Sequence, residues 1–341
     1  MQKSYALLAA ALLLAACGKN APEPSTSANL ESAACSAATT IYVSTATQLQ
    51  NALNTASPGD VINLADGTYT GQFVVPAGRN GTSTSRIVVT GSRLAILQTN
   101  NRSSGKPALS LAGNNYWEFR GFSVINSKKG IITDNSRYNI FDNLSIRDMG
   151  DEGIHFRTHS SNNVLKNSEI KNMGTVTASY GEGCYIGSAK SNWSTYTGSS
   201  STPDRSDNNR VENNVFGPDV RAEHIDVKEG TTGGVITGNT FNGAGMSGAN
   251  YADSWVDVKG NDYTISGNNG NSALLDGFQT HVALTGWGRD NEFSGNTCDV
   301  QASGYGFNIQ LTSGSANGNV VYSSNTVQNA GKGVTNITVT P

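Results

Sequence analysis

Seven short segments of this chain fall into one register: GIITDN (130–135), GIHFRT (153–158), GCYIGS (183–188), HIDVKE (224–229), WVDVKG (255–260), GFQTHV (277–282) and GFNIQL (306–311). Each opens on Gly, His or Trp. The second and fourth residues are apolar or small, as in Ile131/Thr133, Ile225/Val227 and Phe307/Ile309. Period two with one apolar face describes a strand that buries one side. A second column pairs an apolar residue with Asn three positions later: Ile140/Asn143, Val164/Asn167, Val211/Asn214, Ile236/Asn239, Ile265/Asn268, Phe293/Asn296 and Tyr322/Asn325. Stacked Asn side chains can hydrogen-bond from coil to coil, and Asn tolerates the left-handed backbone of a sharp turn. Successive first strands start 22 to 41 residues apart, so a coil of about 22 residues carries looped-out insertions. This predicts an all-β, right-handed parallel β-helix, each coil stacked on the next. A β-sandwich has no Asn register, and propeller blades repeat at about 40–45 residues with other signatures.

The segment ATQLQNALNTASPGD (46–60) predicts a short amphipathic helix that caps the open N-terminal end of the stack. Residues 1–17, MQKSYALLAAALLLAAC, carry an early Lys, an apolar run too short to span a membrane comfortably, and Cys17. They resemble a bacterial lipoprotein signal; an ordinary secretory signal cleaved near Ala16 is the alternative. Residues 18–39 read as a disordered tether and 40–341 as one β-helix domain. The expected location is the bacterial cell envelope, lipid-anchored at the outer membrane or cell surface, or secreted, as a monomer. A net charge of −3 with no basic face argues against nucleic acid as a partner. No CxxC spacing exists, so Cys184 and Cys298 are expected to pack as small apolar residues.

The outward positions carry the chemistry. The third-residue column runs Ile132, His155, Tyr185, Asp226, Asp257, Gln279, Asn308; the fifth runs Asp134, Arg157, Gly187, Lys228, Lys259, His281, Gln310. The residues just before these strands include Glu152, Glu182, Glu223 and Asp276. An acidic patch of Glu182, Glu223, Asp226 and Asp257 therefore lies beside a cationic strip of Arg157, Lys228, Lys259 and His281. Exposed cross-rung ion pairs contribute only ~0–1 kcal/mol each, and stacking Asp on Asp and Lys on Lys is unfavourable. A bound cation would relieve the acids and a bound anion the lysines. An all-oxygen set suits Ca²⁺, and the lack of paired His or Cys argues against zinc. A lysine held among cations is expected to lose its proton more easily. Those parts suit β-elimination in a uronic-acid polymer, with the sugar carboxylate neutralised and Lys228 taking the C5 proton. Lys259, Arg157 and His281 would neutralise charge or protonate the leaving group.

The stretch YVSTATQLQNALNTASPGDVINLADGTYTGQFVV, followed by SRIVVTG, resembles the opening of β-helix polysaccharide lyases of the chondroitinase-B/alginate-lyase type and of some pectate lyases. The likeness covers most of residues 40–335. It implies a calcium-binding carboxylate five residues before a lysine base, which Glu223 and Lys228 match. The family's second acid, seven before the lysine, falls at Arg221 and is missing; Asp226 and Asp257 are the candidates to replace it. The family's arginine falls near Val258 and Lys259. Candidate substrate contacts are His155, Tyr185 and Gln279 on the strand face, Trp193 (with Tyr196) in the insertion at 188–209, Trp287 and Arg289 after the His281 strand, and His224 and Trp255, which stand where other coils have Gly. Two other readings stay open: a glycoside hydrolase using Asp226 and Asp257, and a non-catalytic, surface-tethered glycan-binding protein.

Overall fold

Each coil of the chain visits three sheets in turn. One circuit runs through Ile140–Asp142, Ser145–Arg147 and Ile154–Arg157, then returns to the first sheet at Val164–Lys166. The computed structural model describes residues 38–341. All strand pairs between coils are parallel, and they build sheets of 11, 10 and 10 strands. The chain is a parallel β-helix. The proposed signal peptide and nearly all of the tether lie outside the described residues. Among the described residues no helix is long and apolar enough to cross a membrane.

The seven aligned segments are successive rungs of one ten-stranded sheet, with Ile131, Ile154, Cys184, Ile225, Val256, Phe278 and Phe307 directly opposite one another. The sheet extends beyond them to Phe73–Val75 and Leu109–Ala112 at one end and Gly333–Thr335 at the other. Second and fourth positions are buried throughout, and their aromatic members stack, as Phe278 does on Phe307 with centroids 5.2 Å apart. Cys184 and Cys298 are buried free thiols within this core. The helix Ala46–Thr55 is capped by Thr45, whose hydroxyl accepts from Gln48 N, and it buries Leu49, Ala52 and Leu53.

Five of the seven expected Asn residues form a buried ladder. Asn214, Asn239, Asn268 and Asn296 each donate Nδ2 to the next Oδ1, ending on Asn325, at 2.9–3.0 Å. Asn143 and Asn167 do not belong to it. Both stand one residue early and point outward, and Ser168 takes the ladder position beneath Asn214. A second ladder, Asn139–Asn163–Asn209, lines another corner and resumes at Asn291–Asn319.

The opening residue of each rung explains His224 and Trp255. A Cβ at Gly183 would lie 2.6 Å from the His224 carbonyl oxygen and 2.7 Å from Phe216, so only glycine fits there. At 224 and 255 the interior has room for a ring. His224 lies between Phe216 and Phe241, and Trp255 packs on Phe241 and Phe278. Gly270 clears space for the indole, since a Cβ there would sit 2.3 Å from it. Both side chains are fully buried in the core, so the expectation that they contact substrate is corrected.

Candidate active site

Asp226 and Asp257 face each other across adjacent parallel strands. Their stacking is resolved by the lysines two residues on, which reach back and interleave. Lys228 Nζ lies 2.6 Å from Asp226 Oδ2, and Lys259 Nζ donates to Asp226 Oδ1 at 2.9 Å and to Asp257 Oδ2. His281 Nδ1 completes the chain, 2.7 Å from Asp257 Oδ1. The alternation of sign that the linear columns lack is thus restored in space. Burial alone would raise the Asp257 carboxyl, but Lys259 and His281 outweigh it and hold it below the ordinary range. Burial would likewise lower both lysines, but Asp226 dominates and raises them. The expected fall in lysine pKa is therefore corrected: these carboxylates make Lys228 hold its proton more tightly.

Beside this zigzag, Glu182, Glu223 and Asp226 bring carboxylate oxygens within 4.8 Å of one another, all buried. Asp257 is not in that group; its oxygens face Lys259 and His281. Burial first, then the Asp226 charge, pushes Glu223 up to about 8 and Glu182 well above its usual value. The donor set is all oxygen and suits a hard cation. Both Asp226 oxygens, however, already face ammonium groups.

A cleft of about 490 Å³ opens over this corner, lined by His155, Glu182, Tyr185 and Lys228 on the strand face. The Tyr185 ring stacks on His155 at 4.2 Å, and Lys228 Nζ sits 5.1 Å from the centroid of the same ring. Burial, then Asp226 and Glu182, keep the phenol protonated well above its usual range. His155 is fixed from behind, its Nε2–H donating to the Gly187 carbonyl at 2.7 Å and its Nδ1 3.4 Å from Glu152.

The insertion at 188–209 forms one wall. Trp193 does not face the cleft: it is buried, donates Nε1–H to the Ser188 carbonyl at 2.9 Å and packs against Gly230. Its expected role as a sugar platform is corrected to that of a loop anchor. Tyr196 lines the cleft instead. Asp204 pins the same loop, accepting from the Thr158 and His159 amides and the Ser188 and Ser206 hydroxyls. Arg157 is outside the cleft lining. Its guanidinium forks onto Asp134 at 2.8 and 3.1 Å and supports Tyr196 from below, which removes it from the reacting groups.

Other expected contacts lie apart. Gln279 is buried and committed, donating to Asp253 and Asp276. Trp287 and Arg289 line a separate hollow with Val282 and Asn317, so they are not brought together with Lys228. Lys259 and His281 also lie outside the cleft lining. Lys129, which heads the column just before the strands, also lines the cleft; Lys128, Asp151, Tyr180 and Asn250 line it too and were not found from the strand register. They come from the turns that precede the strands, where periodicity gives no information.

The sequence profile described as "Pel9A-like, right handed beta helix region" matches residues 31–198, which also gives the handedness of the coil. An alginate lyase from Paenibacillus sp. str. FPU-7 is 38% identical, with a TM-score of 0.80 over 89% of this chain and 99% of that one. The chain belongs to the right-handed parallel β-helix polysaccharide lyases. Pectate lyase Pel9A shares the fold at 16% identity and a TM-score of 0.62, over 86% of this chain and 78% of that one. A GH136 lacto-N-biosidase from Eubacterium ramulus shares it at 11% identity and 0.52, over 88% and 67%. No curated protein sequence matches significantly.

Proposed function

We propose that this lyase cleaves a polyuronate, alginate in the first instance, by β-elimination with Lys228 as base and Tyr185 as acid. The observation that carries the reading is their shared cleft, with Lys228 Nζ 5.1 Å from the Tyr185 ring centroid beside a cluster of buried carboxyls. The identity to an alginate lyase supports the polymer. Lys228 in its neutral form takes the C5 proton. The C–H electron pair forms the C4=C5 bond, the C4–O bond breaks, and the Tyr185 hydroxyl gives its proton to the departing oxygen. The proton on Lys228 then returns to the phenolate and restores both groups. Lys259 and Arg157 act from behind, the first by holding Asp226, the second by supporting Tyr196.

The substrate carboxylate must be neutralised for C5 to release its proton. Glu182 lines the cleft, and burial beside Asp226 raises its carboxyl well above the usual value, so in its acid form it can donate a hydrogen bond to the sugar carboxylate, with Glu223, pushed up to about 8, beside it. Ca²⁺ held by Glu182, Glu223 and Asp226 is the alternative, and when bound it would supply that neutralising positive charge directly. The two modes are exclusive, because the cation displaces the protons.

Alginate, pectate, glucuronan and chondroitin or dermatan sulfate, each with and without EDTA, test the reading. The expected product absorbs in the ultraviolet through its new double bond. No absorbance on any of the polymers refutes a uronate lyase. Reducing ends without absorbance would instead favour a hydrolase, which Asp226 and Asp257 disfavour by being saturated with cations. Binding of all polymers with no turnover would favour a glycan-binding protein. We place the protein, through its Cys17 signal, at the bacterial cell envelope; metabolic labelling with a fatty acid tests that assignment.

A further inference from the structure

The cleft has a second end that the elimination does not use. Lys128, Lys129 and Asp151 line it, and Tyr180 stands on the turn between it and Lys228, all in one cavity. The pairing there is asymmetric. Lys129 Nζ lies 2.7 Å from Glu152 and Lys128 Nζ 3.8 Å from Asp151, yet the lysine side chains are 29% and 34% exposed while the acids are 3% and 4% exposed. The carboxylates are buried, and the lysine side chains over them stay partly exposed. Tyr180, on the turn Ala178–Tyr180, keeps 58% of its surface exposed at the cleft rim. An aromatic face and two partly exposed cations are the complement of a sugar ring and its carboxylate. Lys129 precedes the rung Ile131–Asp134 and Lys228 follows the rung Ile225–Val227, three rungs further on. Three rung spacings are roughly 14 Å, a span of several sugars.

We propose that Lys128 and Lys129, seated on Asp151 and Glu152, form a distal subsite for a second uronate of the same polymer, with Tyr180 as the platform for the sugar between that subsite and Lys228, so that the cleft selects polymers carrying carboxylates on both of two separated residues. The inference rests on the lyase reading for its ligand class. Tyr180→Ala and Lys128→Ala are the variants of choice, since both side chains reach solvent and neither leaves a fully buried charge alone. The readouts are KM and kcat on a mannuronate hexamer and trimer, and hexamer Kd by calorimetry in a Lys228→Ala background. Each variant is expected to raise hexamer KM and Kd about tenfold, with kcat within about twofold and a much smaller change for the trimer. Lys128→Arg should restore most of the loss. Unchanged KM and Kd in both variants overturn the subsite, as does an equal loss on trimer and hexamer. If no polymer is cleaved but hexamer Kd weakens in both variants, the subsite stands and the lyase reading falls.

Discussion

Replacing Lys259 by Met removes the ammonium that bridges the two stacked aspartates. Its Nζ donates to Asp226 Oδ1 at 2.9 Å and to Asp257 Oδ2. Charge-assisted bonds of this kind contribute roughly 1.5–3 kcal/mol each. Neither carboxylate is stranded completely, because Lys228 still holds Asp226 and His281 still holds Asp257. The expected loss is therefore at the low end for opening a buried ion pair, about 3 kcal/mol near neutral pH. Urea unfolding followed by circular dichroism should show a lower midpoint at unchanged slope. The pH dependence supplies a sharper check. Asp257 lies below the ordinary range in the native fold, so its contribution is present above the unfolded value and is lost as pH falls through the depressed one. Without Lys259 the carboxyls accept protons at higher pH and need no partner once protonated. The stability gap should be widest near neutrality and close on acidification. A gap below about 1 kcal/mol at neutral pH, or one that does not narrow as pH falls below about 4, would show that the zigzag does not hold these acids.

Tyr185→Phe keeps the ring on His155 but removes the proton donor; kcat should fall by about 10²–10⁴ with polymer affinity retained, measured by single-turnover kinetics and calorimetry. Because Asp226 raises Lys228, turnover should increase with pH on the alkaline side, and Asp226→Asn, by removing that negative charge, should shift the rising limb of log kcat to lower pH. His224 is pushed down to about 3 by burial, so it stays neutral in the fold while the unfolded chain protonates near its usual value. Its contribution is complete above that usual value and erodes as pH falls below it; His224→Phe should remove this acid sensitivity, read from urea midpoints across the acid range.

The strand register was readable because buried alternation and a fixed coil length are imposed by the stack itself. The facing of Asp226 and Asp257 follows from that register alone. Side-chain reach does not. Lys259 has a stem long enough to cross to Asp226 on the neighbouring rung while Lys228 folds back on Asp226 of its own, so columns of like charge became a zigzag of alternating sign. Asn143 and Asn167 show the limit of a motif without a burial test: the spacing was right, but the apolar residue counted was one position early. Tyr180, Lys128 and Asp151 were invisible for another reason. They sit in turns of irregular length, and only tertiary folding brings them to the cleft.

The indole of Trp255 lies in room left by Gly270 on the following turn of the coil and by Gly277 on the next rung. A solenoid invites cutting and pasting of its repeats, but here the units are not interchangeable. Moving the segment that carries Trp255 without the two glycines would drive a ring into the backbone of its new neighbour. Any grafting of this catalytic wall onto another scaffold has to carry residues 255–277 as one piece.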